Sequence, residues 1–89
     1  VLGAVLGVPA PVDAGGRAAA DEAYLPGLAA LDLRAALAPA VARALVENDA
    51  NLAVAAERAR GVARGVGDVV LVLAGERLGA GVCLGGRVV

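Results

Sequence analysis

The chain has 89 residues and a formal net charge of −1, so it is at most one small domain, and a domain of that size buries only about 60% of the surface its unfolded chain exposes. Ser, Thr, His and Lys do not occur, which excludes a serine, threonine or histidine nucleophile, a Schiff-base lysine and a complete P-loop within these residues. The eight basic residues are arginines dispersed along the chain, and Tyr24 is the one aromatic residue, so this segment offers neither a phosphate-binding patch nor a stacking platform for nucleic acid.

The sequence opens on Val1 rather than Met and closes on the strand-like Gly86-Arg87-Val88-Val89, and both ends read as cuts through a longer protein. Val1 to Val8 is a short apolar run that predicts a buried strand, stopped at Pro9 because proline lacks the ladder donor. The uncharged stretch Val1 to Val12 is interrupted by Gly and Pro and falls short of the ~20 residues that span a bilayer. No basic stretch precedes it as a signal peptide requires, so no membrane partner and a cytoplasmic location are expected. A loop follows, with turn chemistry at Pro11-Val12-Asp13-Ala14-Gly15-Gly16 and again at Leu25-Pro26-Gly27. Asp32 stands where an N-cap belongs, ahead of Leu33, Ala36, Leu37 and Ala40, whose spacing forms one apolar helical face; Pro39 should end or bend that helix.

A second strand is expected around Ala42 to Val46, leading through Glu47-Asn48-Asp49 into a helix that runs to about Arg60. Asn48 or Asp49 can cap it, Leu52, Ala55, Ala56 and Ala59 supply a small-residue stripe for packing on a sheet, and Gly61 ends it. Arg58, Arg60 and Arg64 are the nearest approach to a basic cluster and read as solvated surface. From Asp68 the period changes: Val69 to Leu73 and Gly81 to Leu84 predict two strands, with glycines 75, 79 and 81 between or within them and a turn at Gly85-Gly86. Cys83, alone and without histidine, closes neither a zinc site nor an internal disulfide and reads as a core residue.

The chemistry concentrates where the second strand meets the helix. A carboxylate and an amide at the carboxyl end of a strand occupy the place where open α/β sheets bind ligands. The helix dipole favours the ionised form of Asp49. An anionic Asp accepts hydrogen bonds from vicinal hydroxyls and can deprotonate one for phosphoryl transfer, and Asn donates and accepts beside it. The plainer reading, an ordinary Asn/Asp helix cap, stays open on these residues alone.

Glu47-Asn48-Asp49-Ala50-Asn51-Leu52-Ala53, then Glu57, Gly65-Val66-Gly67-Asp68-Val69-Val70, Leu78-Gly79-Ala80-Gly81 and Gly85-Gly86-Arg87 resemble, in order and spacing, the middle of a protein of the ROK family of repressors, open reading frames and sugar kinases. Upstream, Gly7-Val8-Pro9-Ala10-Pro11-Val12-Asp13 and Leu25-Pro26-Gly27-Leu28 are similar to the family's segments before its active-site strand. The resemblance points to a fragment of a transcriptional regulator of the actinobacterial type. It implies an α/β fold: part of an actin-like (ribonuclease H-like), two-lobed sugar kinase architecture with a mixed sheet and flanking helices. Residues 1–60 would close the first lobe, 61–67 form a connection near the hinge, and 68–89 open the second lobe as a β-hairpin.

By the same resemblance the catalytic base and sugar ligand falls on Asp49 and its sugar-binding neighbour on Asn48. No metal ligand falls in this segment, since the family's zinc motif lies outside it. Two departures stand out. Where kinases of the family have Gly-Thr-Gly-Ile-Gly on the nucleotide phosphates, this chain has Gly75-Glu76-Arg77-Leu78-Gly79, a degenerate phosphate loop, and Ala10 replaces a glycine of the loop lining the sugar pocket. Two functions follow. The first is the sugar-sensing domain of a ROK transcriptional regulator, with a hexose or amino-sugar ligand, no cofactor within this segment, DNA contacted only through an upstream domain, and homo-oligomers at full length. The second is an ATP- and magnesium-dependent kinase of the glucose or N-acetylhexosamine type.

Overall fold

The computed structural model describes residues 2–89. The chain divides into two compact units, Val1–Asn48 and Asp49–Val89, each taken separately below. The first unit holds strand β1 (Gly3–Val8), a 3-10 turn (Leu28–Ala30), helix α1 (Leu33–Leu37) and strand β2 (Arg43–Asn48). The second holds helix α2 (Asp49–Arg60) and strands β3 (Val69–Ala74), β4 (Leu78–Leu84) and β5 (Arg87–Val88). The expected α/β class is what the structure shows, with one parallel pair, one antiparallel sheet and helices. No helix among the described residues is long and apolar enough to cross a membrane.

In the first unit β1 and β2 run parallel, with Gly3 opposite Arg43 and Val8 opposite Asn48. The first strand ends at Val8, before Pro9, as the missing donor requires; its expected start at Val1 lies outside the described residues. The second strand runs two residues further than its expected end at Val46, because β1 continues to Val8 and the register carries pairing to Asn48. Val8, Ala10, Ala18 and Val46 form the core, flanked by Leu6, Val12, Leu28 and Leu33.

The loop after β1 is folded back by its own side chain. Asp13 Oδ1 accepts the N–H groups of Gly15 (2.9 Å) and Arg17 (3.0 Å), Gly16 takes a left-handed φ of 82°, and Val12 bridges Ala18. Such an Asx turn is what Asp followed by glycines favours.

Helix α1 has five residues, too few to persist without tertiary support. Asp32 is its N-cap, and Oδ1 accepts the Ala35 N–H at 3.0 Å. Leu33 and Leu37 are half-buried, but Ala36 is exposed and Ala40 lies beyond the helix, in the turn around Pro39, so the apolar face is shorter than its spacing suggests. Asp32 also meets Arg17 at 3.9 Å, with both side chains about half exposed, an arrangement that contributes little. Asp32→Ala is therefore expected to destabilise the fold by about 1 kcal/mol through the lost cap, with Asp32→Asn restoring most of it; urea denaturation of the three proteins measures the difference.

In the second unit α2 packs on β3 and β4. Val54 and Cys83 are fully buried and Ala50 nearly so. This corrects the predicted stripe: Ala55, Ala56 and Ala59 are exposed, and the packed face runs through Ala50 and Val54 towards Arg58. Gly81 sets that face. A Cβ placed there would overlap the Ala50 carbonyl and come within 2.9 Å of Val54 Cγ1, so the start of α2 crosses β4 at a distance only glycine permits. Arg58 follows on the same face. Its Nε donates to the Val66 carbonyl (2.9 Å) and Nη1 to the Gly86 carbonyl (2.8 Å), whereas Arg60 and Arg64 are exposed as expected. Arg58 is thus a clamp on two turns, not solvated surface.

The helix stops at Gly61, whose N–H donates to the Glu57 carbonyl, while Glu57 Oε2 accepts the Val62 N–H, each at 2.9 Å. Residues 61–67 then turn within this unit. Strand β4 begins at Leu78, earlier than the expected Gly81, so Gly79 and Gly81 lie inside it, opposite Leu73 and Leu71. At the second hairpin Gly85 and Gly86 have φ of 57° and 84°, the paired left-handed conformation that a two-residue turn between twisted strands demands. Asp68 Oδ1 accepts the Gly85 N–H at 2.8 Å and holds that turn to the start of β3.

Candidate functional site

Asn48 is the last residue of β2, half-buried. Its Nδ2 donates to the Ala10 carbonyl at 3.0 Å across 38 residues of chain, so the amide ties the loop after β1 to the end of β2. Ala10 itself is 6% exposed and its methyl belongs to the core cluster. The backbone carbonyl of Ala10 therefore shapes this corner, and its side chain fills the core of the first unit.

Asp49 begins α2 and is half-buried. Its Oδ1 accepts the Ala50 N–H at 2.8 Å, and its side chain has no other partner among the described residues. One carboxylate oxygen is held by the first turn of the helix, leaving Oδ2 with its acceptor capacity unused. A carboxylate fixed in this way, at the positive end of a helix dipole, can take hydrogen bonds from a polyhydroxyl ligand.

The four residues of the degenerate phosphate loop divide between a turn and a strand. Gly75, Glu76 and Arg77 are exposed in the three-residue connection between β3 and β4, closed by the Gly75 N–H donating to the Arg77 carbonyl at 3.3 Å. Gly79 lies inside β4, and a Cβ added there would sit 3.7 Å from the Ala50 methyl. The helix turn that begins with Asp49 is thereby brought beside the strand that leaves this loop, and the glycines at 79 and 81 permit that approach. Glu76 has no partner among the described residues.

Two surface hollows belong to the first unit. One, of about 330 Å³, is lined by Pro11, Val12, Asp13, Arg17, Ala18 and Ala19, and the other, of about 440 Å³, by Arg34, Arg43, Ala44 and Leu45. Neither takes in Asn48 or Asp49. Sequence reasoning missed the juxtaposition of Arg34 with Arg43 and the clamp formed by Arg58, because no local pattern announces a contact between distant segments.

Among known proteins, no curated protein and no solved structure matches the chain. The model of the ROK family matches residues 1–89. That match spans the whole chain and accords with its α/β architecture of parallel and antiparallel strands, and the chain belongs to the ROK family.

Proposed function

We propose that this chain is the sugar-sensing part of a ROK transcriptional regulator, which takes a hexose or amino sugar on Asn48 and Asp49 and engages DNA only through a segment outside these residues. The single observation that supports it is Glu76, an unpaired carboxylate exposed at the tip of the β3–β4 turn, in the position where the family's kinases carry a threonine hydroxyl. A negative charge about 4 Å from a phosphate is unfavourable by about 1 kcal/mol in water and about 4 kcal/mol near a protein surface. Asp49, by contrast, keeps an unused acceptor oxygen.

In this reading residues 1–60 close the first lobe of the full fold, 61–67 lie near its hinge, and 68–89 open the second lobe. The protein works in the cytoplasm as a homo-oligomer. No cofactor is bound by this segment.

A second reading, an ATP- and magnesium-dependent sugar kinase, is favoured by the packing of the first turn of α2 beside Gly79 and Gly81, which sets a candidate base near a candidate phosphate loop. Asp49 would then deprotonate the sugar hydroxyl, and Arg77 would offset Glu76 at the phosphates. Isothermal titration calorimetry on the full-length protein separates the two. The regulator reading expects saturable heat with a hexose or N-acetylhexosamine and none with ATP and magnesium; tight magnesium-dependent ATP binding would overturn it.

A further inference from the structure

The hollow lined by Arg34, Arg43, Ala44 and Leu45 stands apart from the site just described. Arg43 opens β2 and Asn48 closes it, about 16 Å apart along a strand that rises roughly 3.3 Å per residue. Arg34 reaches the hollow from α1, with its guanidinium lying against Gly16: a Cβ added there would be 3.1 Å from Nη2 and 3.3 Å from Nε. Gly16 is buried and left-handed, and it has no side chain to displace the guanidinium.

Neither arginine has a carboxylate partner among the described residues, and no acidic side chain lines the hollow. Arg34 Nε is moreover buried without a hydrogen-bond acceptor. A cation that has lost part of its hydration and gained no counter-charge is unfavourably placed. An anion held on its terminal nitrogens would offset that. Arginine side chains supply forked donors suited to tetrahedral oxyanions, two arginines line this hollow, and its volume of about 440 Å³ falls within the range of small-molecule sites.

We propose that this hollow binds a phosphate group, of the kind carried by a small phosphorylated metabolite, at a site separate from Asn48 and Asp49. Arg34, pre-positioned against Gly16, fixes the oxyanion, and exposed Arg43 closes on it from the strand. The inference rests on the first unit alone and does not depend on the sugar-site reading.

The test uses the full-length protein and inorganic phosphate as probe, with sodium chloride added to hold ionic strength constant. Thermal denaturation and calorimetry should show a saturable response in the millimolar range that Arg43→Gln weakens at least tenfold. Arg43 is exposed, so that variant should keep the wild-type melting temperature without phosphate. Arg60→Gln, which removes an exposed arginine of the second unit, should leave the response unchanged. The proposal is overturned by a non-saturable response, by equal affinity in Arg43→Gln, by loss of the response in Arg60→Gln, or by saturation with acetate and not with phosphate.

Discussion

Asp49→Asn is expected to weaken sugar binding by the full-length protein roughly 10- to 100-fold while leaving its unfolding free energy within about 1 kcal/mol of the wild type. The substitution suits the question because Asn caps a helix as well as Asp does. Its amide oxygen can still accept the Ala50 N–H that Oδ1 accepts now. What changes is the second position, where an acceptor oxygen becomes an NH2 donor and the negative charge disappears. A role confined to the helix start predicts a small change in stability and none in affinity; a role in holding carbohydrate hydroxyls predicts the reverse. Calorimetric titration with a hexose panel, alongside urea denaturation, reads both. Unchanged affinity would leave Asp49 as a helix-start residue and remove the basis of the sugar-site proposal. Under the kinase reading the same variant would lose about 10²- to 10⁴-fold in kcat, the usual contribution of a positioned general base.

Gly81→Val should destabilise the protein by about 3 kcal/mol or more, at or above the upper end of ordinary overpacking. The first atom added at Gly81 overlaps the Ala50 carbonyl, which is helix backbone and cannot rotate away, and the next contact is with Val54, fully buried. Relief requires α2 to lift from β4, exposing Val54 and Cys83. Gly79→Ala is the internal control: its methyl would meet the Ala50 side chain at an ordinary 3.7 Å, and a change within about 1 kcal/mol is expected. Chemical denaturation of both variants measures the contrast, and a Gly81 variant as stable as the Gly79 variant would contradict the helix–strand crossing described above. The crossing also sets the first turn of α2 beside the strand that leaves the Glu76 turn.

These two glycines illustrate how differently the residues of this chain announce their roles. Gly85-Gly86, Pro9, Asp32 and the Asp13 turn act on neighbours within a few positions. Their effects on φ, on a missing donor or on the nearest free N–H were legible directly. The strands after Asp68 were legible too, although Leu78 to Ala80, rich in small residues, were assigned to the strand only by pairing with β3. Arg58 was misread for a related reason. Its acceptors are carbonyls at Val66 and Gly86, and a carbonyl leaves no mark in the identity of the residue that carries it.

The sequence by itself determined the alternation of strands and helices, their stops and turns, the family, and the candidacy of Asn48 and Asp49, because each rests on local backbone preferences or on a motif in linear order. Only the tertiary structure decided which face of α2 is buried, which oxygen of Asp49 is already engaged, what the Asn48 amide holds, and that Arg34 and Arg43 share one hollow. Those outcomes depend on close approach between segments far apart in the chain, where packing and backbone hydrogen bonding select the contact and the intervening residues carry no record of it.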